Sequence, residues 1–131
     1  DWEEFPTVAD HTLKAAEMLE QAGANPVLAR CIQTHNSDLN KNLPVPECKM
    51  EKVLFACDEL SGLIQACVLM RPSKSVKSLK KKFKDKKFAA GCNRDNIMRG
   101  AAVNDMELDD LFASVIEAMK ETDPDKDSFQ A

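Results

Sequence analysis

The stretch "LFACDELSGLIQACVLM", residues 54–70, determines the fold predicted for this chain, because it is long, apolar and rich in helix-forming residues. Two adjacent carboxylates, Asp58 and Glu59, interrupt its otherwise apolar and small side chains. A buried carboxylate without a partner costs several kcal/mol or gives up its charge. Each acid must therefore either reach water or meet a compensating positive group.

The helix that contains this stretch is predicted to run from about Cys48 to Met70, where Pro72 halts it. It should be the longest and most buried helix of the chain, since burial of apolar surface drives folding. No run shows the sustained alternation of a strand, and no internal repeat is visible. The sequence therefore predicts an all-α fold, a compact helical bundle of at least five helices.

The flanking helices are predicted from their start and stop signals. Upstream, Asp10 is a suitable N-cap for a first helix that Gly23 ends, and Asn25 with Pro26 starts a second helix that should end near His35. Downstream, the expected boundaries are an N-cap at Ser73, an N-cap at Asn93 with a stop at Gly100, and a start at Asp105. Apolar residues recur at helical spacing in the first and last downstream helices: Val76, Leu79 and Phe83, then Leu108, Leu111, Phe112, Val115, Ile116 and Met119.

Composition indicates a soluble globular protein. Hydrophobic residues make up 44% and charged residues 31% of the 131 residues, enough for one domain with a core. No run reaches the about 18 to 20 uninterrupted apolar residues of a membrane span. The five cysteines, Cys31, Cys48, Cys57, Cys67 and Cys92, include no CxxC pair. We expect free thiols in a cytoplasmic protein without a membrane partner, with Cys57 and Cys67 among the more buried.

Charge is distributed unevenly along the chain. The net charge is −4, yet residues 71–87 hold nine of the 18 basic residues and a single acidic one. A concentrated basic segment on an acidic remainder suggests an anionic partner, or an internal one.

Three residues stand out as metal ligands. The chain contains two histidines, His11 and His35, and Asp58 lies in the middle of the long helix. Two imidazoles and a carboxylate can hold a divalent metal and leave positions for water and substrate. Ordinary roles are open for all three: His11 at the surface, His35 as a favourable charge at a helix C-terminus, and Asp58 on a solvated face. That face would also carry Glu51, Ser61, Gly62 and Gln65.

Several segments together resemble a bacterial-type HD-domain hydrolase. They are "DHTLKAAEML", "IQTHN", "ACDELSGLIQACVLMRPSKSV", "LKKKFKDKKFAAGCNRDNI" and "LDDLFASVIEAM", and residues 56–97 are the most specific part. The resemblance implies an all-α, metal-dependent phosphohydrolase acting on nucleotides or other phosphate esters. Asp58 matches the final metal-binding Asp of the family pattern and would serve catalysis, while His11 and His35 match the intervening histidines of members with a larger metal site.

The family's early His and its His-Asp pair have no counterpart in the printed sequence. "DWEEFP" resembles the segment that directly follows that pair. We therefore expect residues 1–121 to be the C-terminal portion of a single HD-type domain, with 122–131 as a flexible acidic tail. Weak metal binding and reduced activity are expected of such a portion. The implied cofactor is a divalent ion such as Mn, Fe, Zn, Co or Mg.

The sequence is compatible with three functions. In the phosphohydrolase, a metal would activate water against phosphorus, and basic residues would hold the phosphate of a small substrate; the candidates are Lys74, Lys81, Lys82 and Arg94. The alternative is a non-catalytic module whose basic 71–87 segment binds nucleic acid or an acidic partner. That segment lacks interleaved aromatic residues and the acidic remainder would repel a polyanion, which disfavours nucleic acid. Structural scaffolding is the third interpretation.

Overall fold

The computed structural model describes residues 3–70 and 75–122, and within these ranges the chain forms six α-helices and no β-strand. The helices are α1 (Leu13–Gln21), α2 (Pro26–Thr34), α3 (Lys49–Met70), α4 (Val76–Lys84), α5 (Arg94–Val103) and α6 (Leu108–Thr122). The predicted all-α fold is confirmed. The chain divides into two compact units, Asp1–Phe55 and Ala56–Ala131, and the boundary falls within α3. The assignment of residues 1–121 to one domain stays a prediction.

In the first unit α1 packs against α2. The predicted start of α2 is confirmed, because the Asn25 side chain accepts a hydrogen bond from the Val27 N–H and Pro26 occupies the first turn. Gly23 follows α1 with a φ of 78°, a left-handed conformation that suits glycine after a helix.

The predicted cap of α1 is wrong. The helix begins at Leu13, and the preceding residue is Thr12, whose side chain makes no capping bond. Asp10 instead lies in a hydrogen-bonded turn, where its carboxylate accepts a 2.6 Å bond from the Thr7 hydroxyl. The His11 N–H donates to the Thr7 carbonyl at 2.8 Å. This turn satisfies the polar groups that a helix starting at Asp10 would have used.

The second unit is built around one apolar core. Its buried members come from α3, α4, α5 and α6: Ala56, Leu60, Leu63, Ile64, Leu79, Ile97, Ala101, Leu111, Phe112, Val115 and Ile116. The apolar stripes predicted for α4 and α6 both face this core, and the Phe83 and Phe112 rings meet edge to face at 5.4 Å. Helical periodicity therefore predicted the inward faces correctly.

Three helix boundaries in this unit differ from the predictions. Ser75 rather than Ser73 is the N-cap of α4, and Ser73 lies outside the described residues. Asn93 caps α5 as predicted, but the helix continues past Gly100 to Val103. Asp105 adopts a left-handed φ of 54° after α5, so α6 begins later, at Leu108.

Gly100 is a contact point between helices and not a helix stop. A Cβ atom at this position would lie 2.5 Å from the Ala56 Cα and 2.8 Å from its Cβ. Real Cβ atoms essentially never approach backbone so closely. The absence of a side chain therefore lets α5 approach α3, which a sequence pattern for one helix cannot reveal.

Helix α3 is the longest helix described and contains the largest number of buried residues, but a smaller fraction of its residues is buried than in α5. It buries six of its 22 residues, whereas α5 buries four of ten. Leu69 and Met70 near its end are 77% and 68% exposed. Among the described residues α3 is long and apolar enough to cross a membrane by length and composition, with about a third of the relevant window buried.

All five cysteines are free thiols, as predicted. Cys31 is the buried one, at 2% exposure, while Cys57, Cys67 and Cys92 are half-buried and Cys48 is exposed. Cys57 and Cys67 are thus more buried than Cys48, as expected, but less buried than Cys31. Residue 122 of the predicted tail is the last residue of α6, and residues 123–131 lie outside the described part of the chain.

Candidate functional site

The two histidines lie in contact within the first unit. Their ring centroids are 5.4 Å apart and their planes meet at 72°. His35 is the C-cap residue of α2, and His11 lies in the turn that precedes α1. Both side chains are half-buried, and the Nδ1 atom of each is shielded from solvent. The fold thus joins two imidazoles that are distant in the sequence.

Asn36 ties the His11 turn to the end of α2. Its buried side-chain amide donates to the carbonyls of Val8, at 3.3 Å, and His11, at 3.5 Å. Asn40 adds a bond from its own amide to the Ala9 carbonyl at 3.4 Å. Because Asn36 directly follows His35, these bonds fix the position of one imidazole relative to the other.

The residue beside His11 has a strained backbone. Thr12 is fully buried and adopts a φ of 71°, which is rare for a β-branched residue. Such a conformation costs about 1–3 kcal/mol and persists only where surrounding contacts impose it. Strain of this kind is concentrated at functional sites, and here it directs the chain from the His11 turn into α1.

Asp58 is exposed on α3, in the second unit. Gly62 and Gln65 of the predicted stripe are exposed as well, so Asp58 lies on a solvated part of the helix. Glu51 departs from that stripe, because it is buried in the first unit and forms a 2.9 Å ion pair with Arg30. Asp58 therefore reaches water, and its carboxylate is accessible to a ligand from solvent.

Glu59 is half-buried. Its carboxylate accepts a 3.1 Å hydrogen bond from the N–H of Asn93, the N-cap residue of α5. A negative group at a helix N-terminus is also favoured by the helix dipole. The second acid of the opening stretch thus connects α3 to α5.

Within residues 3–70 and 75–122, no group of three or more His, Cys, Asp or Glu side chains is arranged to hold a metal ion. The His11–His35 pair supplies two nitrogen donors. Imidazole nitrogens suit Zn, Fe and similar first-row ions. Two nitrogen donors are fewer than the three or four protein ligands that zinc sites have.

A pocket of about 250 Å³ lies between the end of α3 and the start of α4. The residues that line it are Cys67, Met70, Ser75, Lys77, Ser78, Lys81 and Lys82. Two of the predicted phosphate-binding residues, Lys81 and Lys82, belong to it. Lys77 was missed, although its spacing of four residues from Lys81 places both on one helix face.

The other predicted phosphate ligands have different surroundings. The Arg94 guanidinium donates to the carbonyls of Ala89 at 2.6 Å and Cys92 at 2.8 Å, and also to that of Phe88. These bonds hold the loop between α4 and α5, which favours a structural role for Arg94. Lys74 lies outside the described residues.

Two half-buried thiols have perturbed acidity. Burial, assisted by the nearby negative charge of Glu59, raises the pKa of Cys92 to about 11. Burial also raises the pKa of Cys67, although the positive charges of Lys82 and Arg94 oppose the increase. Both thiols are therefore protonated at neutral pH and poorly suited to nucleophilic catalysis.

The comparisons with known proteins give no assignment. No family model, curated protein or solved structure matches this chain.

Proposed function

We propose that this chain belongs to a metal-dependent phosphohydrolase of the HD type that acts on a nucleotide or another phosphate ester. The observation that supports it best is the contact between His11 and His35, two residues that the sequence resemblance pairs as metal ligands. A surface role for His11 and a helix-dipole role for His35 would leave the two histidines unrelated. These roles do not account for the contact between them.

The distance between the imidazoles suits a shared ion. Two imidazoles bound to one metal at about 2.1 Å place their ring centres about 5 Å apart when the ligands are tetrahedral. The observed separation of 5.4 Å is close to that value. Small rotations of the two rings would then direct one nitrogen of each at a common ion.

Each residue has a defined role in the proposal. His11 and His35 would hold the metal as neutral imidazoles, positioned by the bonds of Asn36. Asp58, the match to the family's last ligand, offers an accessible carboxylate. The bound metal would supply a water molecule of lowered pKa and polarise the phosphate oxygens.

The first test is metal binding by the chain itself. Titration calorimetry with Mn²⁺ and with Zn²⁺ should show weak binding that falls at least tenfold in H11Q and in H35Q. E17Q, which changes an exposed residue of α1 in the same unit, should bind as the unaltered protein does. Affinity should also fall on acidification, since protons compete for the imidazoles. Binding that is unchanged in both histidine variants would refute the proposal.

The second test is phosphohydrolase activity. Hydrolysis of p-nitrophenyl phosphate is measured in the presence of Mn²⁺ for the unaltered protein and for two variants. We expect turnover that D58N abolishes and that E59Q leaves measurable, because Glu59 bonds to backbone. The absence of turnover in the unaltered protein, or full activity in D58N, would contradict the proposal.

A further inference from the structure

We propose that the pocket between α3 and α4 binds a small organic phosphate, whose phosphate group is held by Lys77 and Lys81 and whose organic group contacts Met70 and Cys67. All of these residues line the pocket and belong to the second unit. The inference does not depend on the His11–His35 pair, so the two proposals can fail separately.

The charge of the pocket favours an anion. Of the lining residues within the described part of the chain, three are lysines and none is acidic. Lys77 and Lys81 lie four residues apart on α4, a spacing at which like charges repel and destabilise a helix. A phosphate dianion between the two ammonium groups would convert this repulsion into two charge-assisted hydrogen bonds.

The neighbouring lysine Lys80 differs from the pocket lysines. Its ammonium forms a 2.7 Å ion pair with Asp109 of α6, so its charge is already matched within the protein. Lys82 is 25% exposed, stacks 4.5 Å from the centre of the Phe88 ring and lies 3.9 Å from an Asp85 oxygen. Lys77 and Lys81, both exposed, are therefore the residues that we assign to the ligand.

Polar groups at the start of α4 complete the anion site. The Ser75 hydroxyl accepts a 3.3 Å bond from the Ser78 N–H, and a hydroxyl that accepts one bond can still donate its own proton. Ser75 is the N-cap residue of a nine-residue helix, where the helix dipole favours negative charge. The lysines and the pocket, and not the helix terminus alone, define the site.

The size and the apolar wall limit the ligand class. At about 250 Å³ the pocket is below the roughly 300–1,000 Å³ of sites for drug-sized ligands. It suits a phosphate that carries one small organic group. The Met70 side of the pocket would favour an apolar group over bare inorganic phosphate, since Met70 is 68% exposed and would be covered.

The experiment compares two variants with equal charge change. Binding of inorganic phosphate, of phenyl phosphate and of a thymidine decanucleotide is measured by calorimetry. The test variant is K77Q/K81Q, and the control is K84Q/K86Q, which alters exposed lysines of the same segment outside the pocket. Circular dichroism checks that both variants keep their helices, which is expected because the substituted lysines are exposed.

Cys67 provides a second readout that reports on the pocket directly. Modification of each thiol by iodoacetamide at mildly alkaline pH is followed by peptide mass spectrometry. Phenyl phosphate should slow modification of Cys67, which lines the pocket, and leave the exposed Cys48 unaffected. Cys48 is a suitable control because it lies in the other unit.

The expected result is tighter binding of phenyl phosphate than of inorganic phosphate, and protection of Cys67. Affinity should fall on the order of tenfold for each charge-assisted hydrogen bond lost in K77Q/K81Q, and little in K84Q/K86Q. Equal losses in both variants would show unspecific charge attraction and overturn the proposal. Binding of the decanucleotide without binding of phenyl phosphate would overturn it in favour of a nucleic-acid interface along residues 71–87.

Discussion

The substitution G100A tests the close approach of α5 to α3. The added Cβ would lie 2.5 Å from the Ala56 Cα, so the two helices must separate or the backbone must shift. Overpacking of a well-packed core typically costs about 1–3 kcal/mol. Replacing glycine by alanine within a helix contributes about 1 kcal/mol in the opposite direction. We therefore expect G100A to lower the free energy of unfolding by up to about 2 kcal/mol.

G62A is a matched control for this experiment. Gly62 lies within α3 in the same unit, it is exposed, and a Cβ there would meet no atom within 4 Å. Alanine has a higher helix propensity than glycine, and no steric clash offsets this advantage at position 62. G62A should therefore stabilise the protein by about 0.5–1 kcal/mol. The two glycine-to-alanine changes are predicted to have opposite signs.

Urea denaturation followed by circular dichroism measures both free energies of unfolding. Because both glycines belong to the second unit, the same unfolding reaction is compared. A midpoint for G100A that equals or exceeds that of G62A would refute the inferred helix contact. In that case Gly100 would be an ordinary helix residue.

Three other predictions concern charged and thiol groups. Burial of Glu51 opposes ionisation, but bonds from the Glu47 and Cys48 N–H groups and the Arg30 charge outweigh it and lower its pKa below 4.5. The stabilising contribution of the Glu51 charge should be complete above about pH 4.5 and should be lost as the pH falls through the lower pKa of the folded state. The acid-unfolding curve of E51Q should lack this loss of stability. R94A should cost about 2–3 kcal/mol in thermal unfolding, since several loop carbonyls lose their donor; an unchanged Tm contradicts this. Iodoacetamide at pH about 8 should modify Cys48 well before Cys92, and the reverse order in mass spectra would refute the burial assignments.

Much of the fold could be predicted from the sequence because helix periodicity is a local property. The inward stripes of α4 and α6, the Asn25 and Asn93 caps and the extent of α3 all depend on residues a few positions apart. The wrong boundaries have a different origin. Gly100 resembles a stop signal in isolation, yet it lies inside α5. A glycine is needed there since Ala56, distant in the sequence, leaves no room for a side chain.

The candidate sites were less predictable, because they depend on contacts between distant segments. The sequence named His11 and His35, but the amide bonds of Asn36 that hold the two together were not foreseen. Lys81 was named and Lys77 was not, since the pocket that distinguishes them from other lysines requires the end of α3. The sequence therefore identified candidate site residues by their type, but it did not identify the residues that surround them in the fold.

The adjacent acids of α3 show this limit most directly. Neighbouring helix positions point about 100° apart, so a helix can expose one acid and turn the next toward its partners. Asp58 is exposed to solvent. Glu59 bonds the Asn93 N–H, 34 residues away, and so satisfies one of the unpaired donors at the start of α5. The two adjacent acids of this apolar helix thus have different surroundings. Only the distant partner, Asn93, which the sequence does not identify, distinguishes the bonded acid from the exposed one.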